Sequence, residues 1–145
     1  MYEIEEFDKQ KSKVMKYIMY KKRSEYEVKN KFQNTIQEDL LCDIIDYVKE
    51  AGYLNDIEYI KKSINEFKAL KSLSIKEVKY KLQQKGIKKR DLDEYISENY
   101  EEMYEYETNS AKTIVLKKEN TMDKEEIQSY LIKKGYQEQI IKEVL

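Results

Sequence analysis

Apolar residues along this chain recur at spacings of three, four and seven, and nowhere alternate over the length of a strand. Val14, Tyr17 and Ile18, widened by Met15 and Met19, predict a first helix over about Lys9 to Lys22. Ser24 restarts the chain into a second helix that ends between Phe32 and Asn34. A third, from about Glu38 to Glu50, carries Leu41, Ile44, Ile45 and Val48 and stops at Gly52. Asn55 or Asp56 caps a fourth with the stripe Ile57, Ile60, Ile64 and Phe67. The fifth runs from Ser74 through Ile75, Val78 and Leu82 to Gly86, and a short sixth near Asp91 carries Leu92, Tyr95 and Ile96. The seventh covers about Tyr104 to Lys118 through Ala111, Ile114 and Val115. An eighth from Asp123 to Gly135 and a ninth from Gln137 to Leu145 complete the pattern.

Three of these helices open alike. Ser24 stands three residues before Glu27, Ser74 three before Glu77, and Asp123 three before Glu126. This is the capping-box spacing, in which the cap side chain accepts a backbone N–H and the glutamate reaches back to the cap's own N–H. Val28, Val78 and Ile127 follow directly, and Phe32, Leu82 and Leu131 lie four residues further on. The later two copies then reach Lys85-Gly86-Ile87 and Lys134-Gly135-Tyr136. Three boxes in register indicate an internally repeated unit. The expected fold is therefore all-α, with about nine helices in three tandem three-helix repeats, at 1–53, 54–100 and 101–145. Each short triplet leaves an apolar edge it cannot cover alone, so the repeats are expected to stack into an elongated, curved array.

Composition narrows the picture. In 145 residues there is no proline and there are three glycines, so tight turns and hairpins are scarce. Charged residues make up 39% and hydrophobic ones 40%, which predicts a modest core beneath long solvated helix faces. No run approaches the length of a membrane-spanning helix, and the acidic N-terminus (Glu3, Glu5, Glu6, Asp8) has the wrong sign for a signal peptide, so a cytoplasmic protein is expected. Cys42 is the single cysteine. Its apolar neighbours Leu40 and Leu41 predict a small buried thiol.

The residue inventory argues against an enzyme. Histidine, the commonest general base and metal ligand, is absent. The glycines lie far apart, so no phosphate-cradling loop forms, and Cys42 has no histidine to activate it. Carboxylate runs such as Glu101-Glu102 and Glu105 to Glu107 read as solvated faces. No cofactor or metal is expected.

Charge is more telling in its distribution than in its sum of −1. Between Lys61 and Arg90, eleven basic residues stand against Glu66 and Glu77, a local net of +9; between Lys11 and Lys31, eight stand against two, a net of +6. Screening over about 8–10 Å lets such blocks act separately. The candidate contact surface is Lys61, Lys62, Lys68, Lys71, Lys76, Lys79, Lys88, Lys89 and Arg90, extended by Lys21, Lys22 and Arg23. It suits phosphates or an acidic protein groove, and the same lysines also suit plain helix solvation. Of fourteen tyrosines, Tyr17, Tyr47 and Tyr136 fall at or beside core positions, whereas Tyr26, Tyr59 and Tyr80 fall on more polar faces.

Three stretches together resemble the RecX family of small regulators that act on the RecA recombinase. They are Ala51-Gly52-Tyr53-Leu54-Asn55-Asp56 leading to Tyr59-Ile60; Ser74-Ile75-Lys76-Glu77-Val78 through Leu82 to Lys85-Gly86-Ile87; and Tyr130-Leu131-Ile132-Lys133-Lys134-Gly135-Tyr136 with Ile140. With the segment from Ser24 to Phe32, the similarity extends from about Lys13 to Leu145. The chain departs from the family in carrying Lys134 and Tyr136 where arginine and phenylalanine are usual, and in having Arg23 and Arg90 as its only arginines. The resemblance implies three stacked three-helix repeats that lie in the groove of the RecA–single-stranded DNA filament; a monomer is expected. There they would limit strand exchange and the RecA-stimulated coprotease function of the SOS response, by binding and not by catalysis. The alternatives from the residues themselves are a stand-alone nucleic-acid-binding helical module and a helical adaptor without nucleic acid.

Overall fold

The computed structural model describes residues 2–70 and 72–145. Among them are nine helices and no strand: α1 (Ile4–Tyr20), α2 (Glu25–Phe32), α3 (Glu38–Glu50), α4 (Asp56–Leu70), α5 (Ile75–Gln84), α6 (Lys89–Glu98), α7 (Tyr100–Lys118), α8 (Lys124–Lys134) and α9 (Glu138–Val144). The all-α expectation holds. α1 begins five residues earlier than the apolar periodicity indicates, because its first turn is acidic (Glu5, Glu6), which complements the helix dipole without adding to the stripe. α7 likewise starts at Tyr100, ahead of Tyr104.

The described chain divides into two compact units, one of residues 1–59 with 85–87, the other of 60–84 with 88–145. In the first, Val14 and Ile18 of α1, Val28 and Phe32 of α2, and Leu41, Ile44, Ile45 and Val48 of α3 close one core. In the second, Ala111 and Ile114 of α7, Ile127 and Leu131 of α8 and Ile140 and Ile141 of α9 close another. Ile60, Ile64, Val78, Leu82, Leu92 and Met103 of the second unit are also buried. Each such side chain contributes about 1.5–3 kcal/mol by leaving water. Three expectations fail at single positions. Cys42 is exposed, because on α3 it lies one step off the row formed by Leu41, Ile44, Ile45 and Val48. Tyr47 is exposed too, edge-on to Phe7 at 6.1 Å with the Lys11 ammonium 4.7 Å from its ring. Ile57, in the first turn of α4, is also exposed.

All three capping boxes form. Ser24 Oγ accepts the Glu27 N–H at 3.1 Å, Ser74 Oγ accepts that of Glu77 at 3.1 Å, and Asp123 Oδ1 accepts that of Glu126 at 2.8 Å, each glutamate returning the bond. The two serines do more. Ser24 Oγ donates to the carbonyl of Lys85 at 2.7 Å, and Ser74 Oγ donates to the carbonyl of Lys134 at 2.7 Å. Each hydroxyl thus spends its lone pair on its own helix and its proton on a helix end some sixty residues later. A carboxylate takes the next N–H along: Asp56 accepts from Glu25 at 3.0 Å, and Glu107 from Ile75 at 3.4 Å.

The glycines following those carbonyls are required twice over. Gly86 and Gly135 have φ of +84° and +92°, the left-handed conformation that ends a helix. A Cβ on Gly86 would also stand 2.0 Å from Tyr26 Cβ, and one on Gly135 would stand 2.8 Å from Lys76 Cδ. Tyr26 and Lys76 occupy the same position in α2 and α5, two residues after the capping serine. Gly52, at φ +83°, has nothing within 4 Å of such a Cβ. It serves as the control: Gly52→Ala should lower unfolding free energy by about 1 kcal/mol, the left-handed penalty alone, and Gly86→Ala by roughly 2–4 kcal/mol, since steric overlap adds to it. Urea unfolding followed by circular dichroism measures both. In the same assay Ser74→Ala should cost about 1–3 kcal/mol, for a lost cap and an orphaned carbonyl.

Candidate functional site

The basic residues singled out from the sequence belong to distinct environments. In the first unit, Lys21 is exposed, Lys22 pairs with Glu58 at 3.7 Å, and the Arg23 guanidinium lies 3.8 Å from the Tyr17 ring centre while its Nε donates to the Tyr17 carbonyl at 3.2 Å. Arg23 therefore fixes the α1–α2 corner as well as carrying charge.

In the second unit, Lys61, Lys76, Lys88 and Lys89 are exposed, and none of them forms an ion pair among the described residues. Lys62 lies 3.8 Å from Glu66, one turn along α4, and Arg90 lies 3.8 Å from Asp91. Lys68 and Lys79 differ. Each is about three-quarters shielded from solvent and is engaged by an acid distant in sequence: Lys68 by Glu102, and Lys79 by Asp93 at 2.5 Å. Burial lowers the Lys68 pKa, with Glu105 opposing the shift. The Lys79 hydrogen bond holds the Asp93 carboxyl below its ordinary value, against partial desolvation. A cavity of about 230 Å³ at Lys68 is bordered by Glu102, Glu105, Tyr106 and Asn109. Lys71 lies outside the described residues. The cations open to a partner are therefore Lys61, Lys76, Lys88 and Lys89, with Lys62 and Arg90 weakly paired beside them. Exposed ion pairs of that length contribute little and break readily.

What orients α5, and with it Lys76 and Lys79, is a buried polar cluster that the sequence reading missed. Glu107 is fully buried in α7, where Oε1 accepts the Ile75 N–H and Oε2 accepts from Gln137 Nε2 at 2.6 Å. The Tyr106 hydroxyl and Ser110 Oγ both donate to the Leu73 carbonyl, at 2.8 and 3.0 Å, and Ser110 is 2.7 Å from the Tyr136 hydroxyl. Lys134 Nζ donates to the Ser72 carbonyl at 3.1 Å and lies 3.7 Å from Glu77. The segment entering α5 is thus held by α7 and α8 through hydrogen bonds, with Gln137 and Tyr136 fixing the α7 side chains that make them, and no buried polar side-chain atom among the described residues lacks a partner. Burial pushes the Glu107 carboxyl above its ordinary range, opposed by the Gln137 and Ile75 bonds. It raises the Tyr106 phenol to about 12. Glu107 stood in an acidic run and read as a solvated face; the clue was its place beside Tyr106, Ser110 and Ala111 on the helical row that faces inward.

No group of three or more cysteine, aspartate or glutamate side chains among the described residues is arranged to hold a metal ion. No helix there is long and apolar enough to cross a membrane.

A Regulatory protein RecX from Clostridium botulinum (strain Eklund 17B / Type B) is 31% identical to the chain over 133 aligned residues, covering 85% of this chain and 60% of the relative. Regulatory protein RecX from Clostridioides difficile (strain 630) is 27% identical over 148 residues, covering 97% and 68%. The chain is similar in sequence to these RecX proteins. It spans about 60% of the length of the Clostridium botulinum RecX protein. No protein-family profile matches it. Its fold is that of RecX as well: the crystal structure of RecX from Lactobacillus salivarius has a TM-score of 0.80 at 20% identity, covering 97% of this chain and 94% of that one. A second RecX crystal structure has a TM-score of 0.81 at 18% identity, covering 95% and 72%.

Glu107 gives the protein a pH response of stated direction. Its folded-state pKa is raised, so between about 4.5, the ordinary value, and the raised value the folded protein binds the extra proton. Its contribution to stability therefore falls as pH rises through that window and is level above it. The difference in unfolding free energy between wild type and Glu107→Gln, measured by urea titration at successive pH values, should shift against the wild type on going up from pH about 4.5.

Proposed function

We propose that this chain regulates the RecA recombinase by binding the filament that RecA forms on single-stranded DNA, limiting strand exchange, ATP hydrolysis and coprotease stimulation. The observation that carries the reading is the kinship over 85% of the chain with proteins named Regulatory protein RecX. The regulator acts by occupancy and not by catalysis, which accords with a chain that has no histidine. It works in the cytoplasm as a monomer, with repeats at 1–53, 54–100 and 101–145.

The contact surface proposed is the basic one, centred on Lys61, Lys76, Lys88 and Lys89. Their free ammonium groups suit phosphate oxygens or the carboxylates of a protein groove. Lys62 and Arg90 extend it, and Lys21 and Lys22 of the first unit are proposed as a separate contact; Lys68 and Lys79, already neutralised, contribute shape more than charge. Several modest contacts engaged together make affinity depend on an assembled filament and not on a free subunit or bare strand. Single-stranded DNA is met directly or through RecA.

The decisive comparison sets binding to naked single-stranded DNA against binding to the RecA–nucleotide–DNA filament, with ATP hydrolysis followed as protein is added. Tighter filament binding with falling hydrolysis is expected. Equal affinity for naked DNA and unchanged RecA activity would sink the reading. Reversal of Lys61, Lys88 and Lys89 to Glu should weaken filament inhibition by about tenfold or more, three exposed charges being inverted. Helical circular dichroism should stay intact, and an unaltered inhibition curve would move the contact to other residues.

A further inference from the structure

In the first unit, α1 ends on two apolar side chains left largely in water: Tyr20 is 82% exposed and Met19 66%. The inward side of the same turn is closed, with Ile18 buried and the Tyr17 ring edge-on to Phe32 at 5.6 Å. Tyr17 also carries Arg23, whose guanidinium lies 3.8 Å from that ring centre and 5.9 Å from the ring centre of Tyr20. One guanidinium thus neighbours both tyrosines, and its bond to the Tyr17 carbonyl fixes it there.

The charge around these rings is of one sign. Lys16, one turn before Tyr20 on the same helix row, is exposed, as are Lys21 and Lys22 just after it. The acids of this corner are occupied. Glu27 returns the capping bond to Ser24, Glu25 pairs with Lys49 at 3.4 Å and Lys29 at 3.9 Å, and Glu58 faces Lys22 at 3.7 Å. A ring in water adds nothing to the core, and neighbouring cations repel one another. A ligand that brings a flat π face with anions alongside relieves both. A nucleotide of a single strand has that composition, because its base stacks on a ring or guanidinium and its phosphates meet ammonium groups. A duplex keeps its bases inside and an acidic peptide offers carboxylates without a flat face, so each matches only half of the corner.

We infer that Tyr20, with Arg23 beside it, is a base-stacking platform for single-stranded nucleic acid, with Lys16 and Lys21 taking the flanking phosphates. The inference rests on the filament reading only for which strand is met, and it gives the separate contact of the first unit its chemistry.

The chain has no tryptophan, so Tyr20→Trp puts a sole indole at the platform. Its fluorescence is titrated, without RecA, with oligo-dT of about 15 nucleotides, with an abasic strand and a duplex of the same length, and with poly-glutamate as a stand-in for an acidic protein. Oligo-dT should quench the indole, and the other three should leave it little changed. In the otherwise unaltered chain, Tyr20→Ala should weaken oligo-dT binding about five- to a hundredfold, the loss of one base–aromatic stack. Tyr20→Phe keeps the π face and should bind as the wild type does. Tyr20→Ala should also melt as the wild type does, and Tyr100→Ala, at an exposed tyrosine of the second unit beside Glu101 and Glu102, should leave binding unchanged. Absent oligo-dT binding, equal quenching by the abasic strand, the duplex or poly-glutamate, an unweakened Tyr20→Ala, or equal weakening by Tyr20→Phe or Tyr100→Ala would each overturn the inference. With RecA left out, those outcomes strike the platform and leave the filament comparison to be decided on its own result.

Discussion

The structure turns on one hydroxyl used in two directions. A serine at a helix start accepts the N–H of the glutamate three residues on, and donates to the last carbonyl of a helix end about sixty residues away. Both groups belong to the inventory of unpaired backbone atoms that every helix carries at its ends. Joining a start to an end through one side chain satisfies both, and the second carboxylate, Asp56 or Glu107, takes the next N–H. The glycine after the carbonyl fits both constraints there: its backbone is left-handed, and a Cβ would overlap the side chain of Tyr26 or crowd that of Lys76.

This constraint also governs where charge can be useful. A chain of net charge −1 keeps a basic surface only if its acids are placed elsewhere or spent. Some are spent: Glu102 on Lys68, Asp93 on Lys79, Glu77 on Lys134, and Glu107 on the backbone of α5. Of the candidate contact lysines in the second unit, those outside these pairings are Lys61 on α4, Lys76 on α5, and Lys88 and Lys89 at the start of α6. Structural and recognition charges are thus sorted by tertiary proximity, a property that a linear count of signs does not contain.

Most of the architecture was readable because it is written in local terms. Capping boxes, glycine stops and three–four spacing are short-range signals, and the helices they predict are present with ends displaced by a few residues. What escaped detection depends on contacts between residues far apart in sequence. Glu107 and Lys68 resembled their solvated neighbours until α5 and α7 were set against them. Cys42 was misjudged for a simpler reason: adjacent leucines suggest burial, but a helix turns 100° per residue and carries it off the apolar row. The serines were recognised as caps, but their second bond could not be read from a motif.

Because Ser24 finds its second partner in Lys85, 61 residues later, α2 leaves the ribosome with its socket empty. At about 5–20 residues per second the missing turn follows on the order of 3–12 s behind. The same wait recurs between Ser74 and Lys134, 60 residues apart. Each capping serine is thus completed only by a segment that has yet to be synthesised, and a pause in translation between the two leaves a helix entrance unsealed.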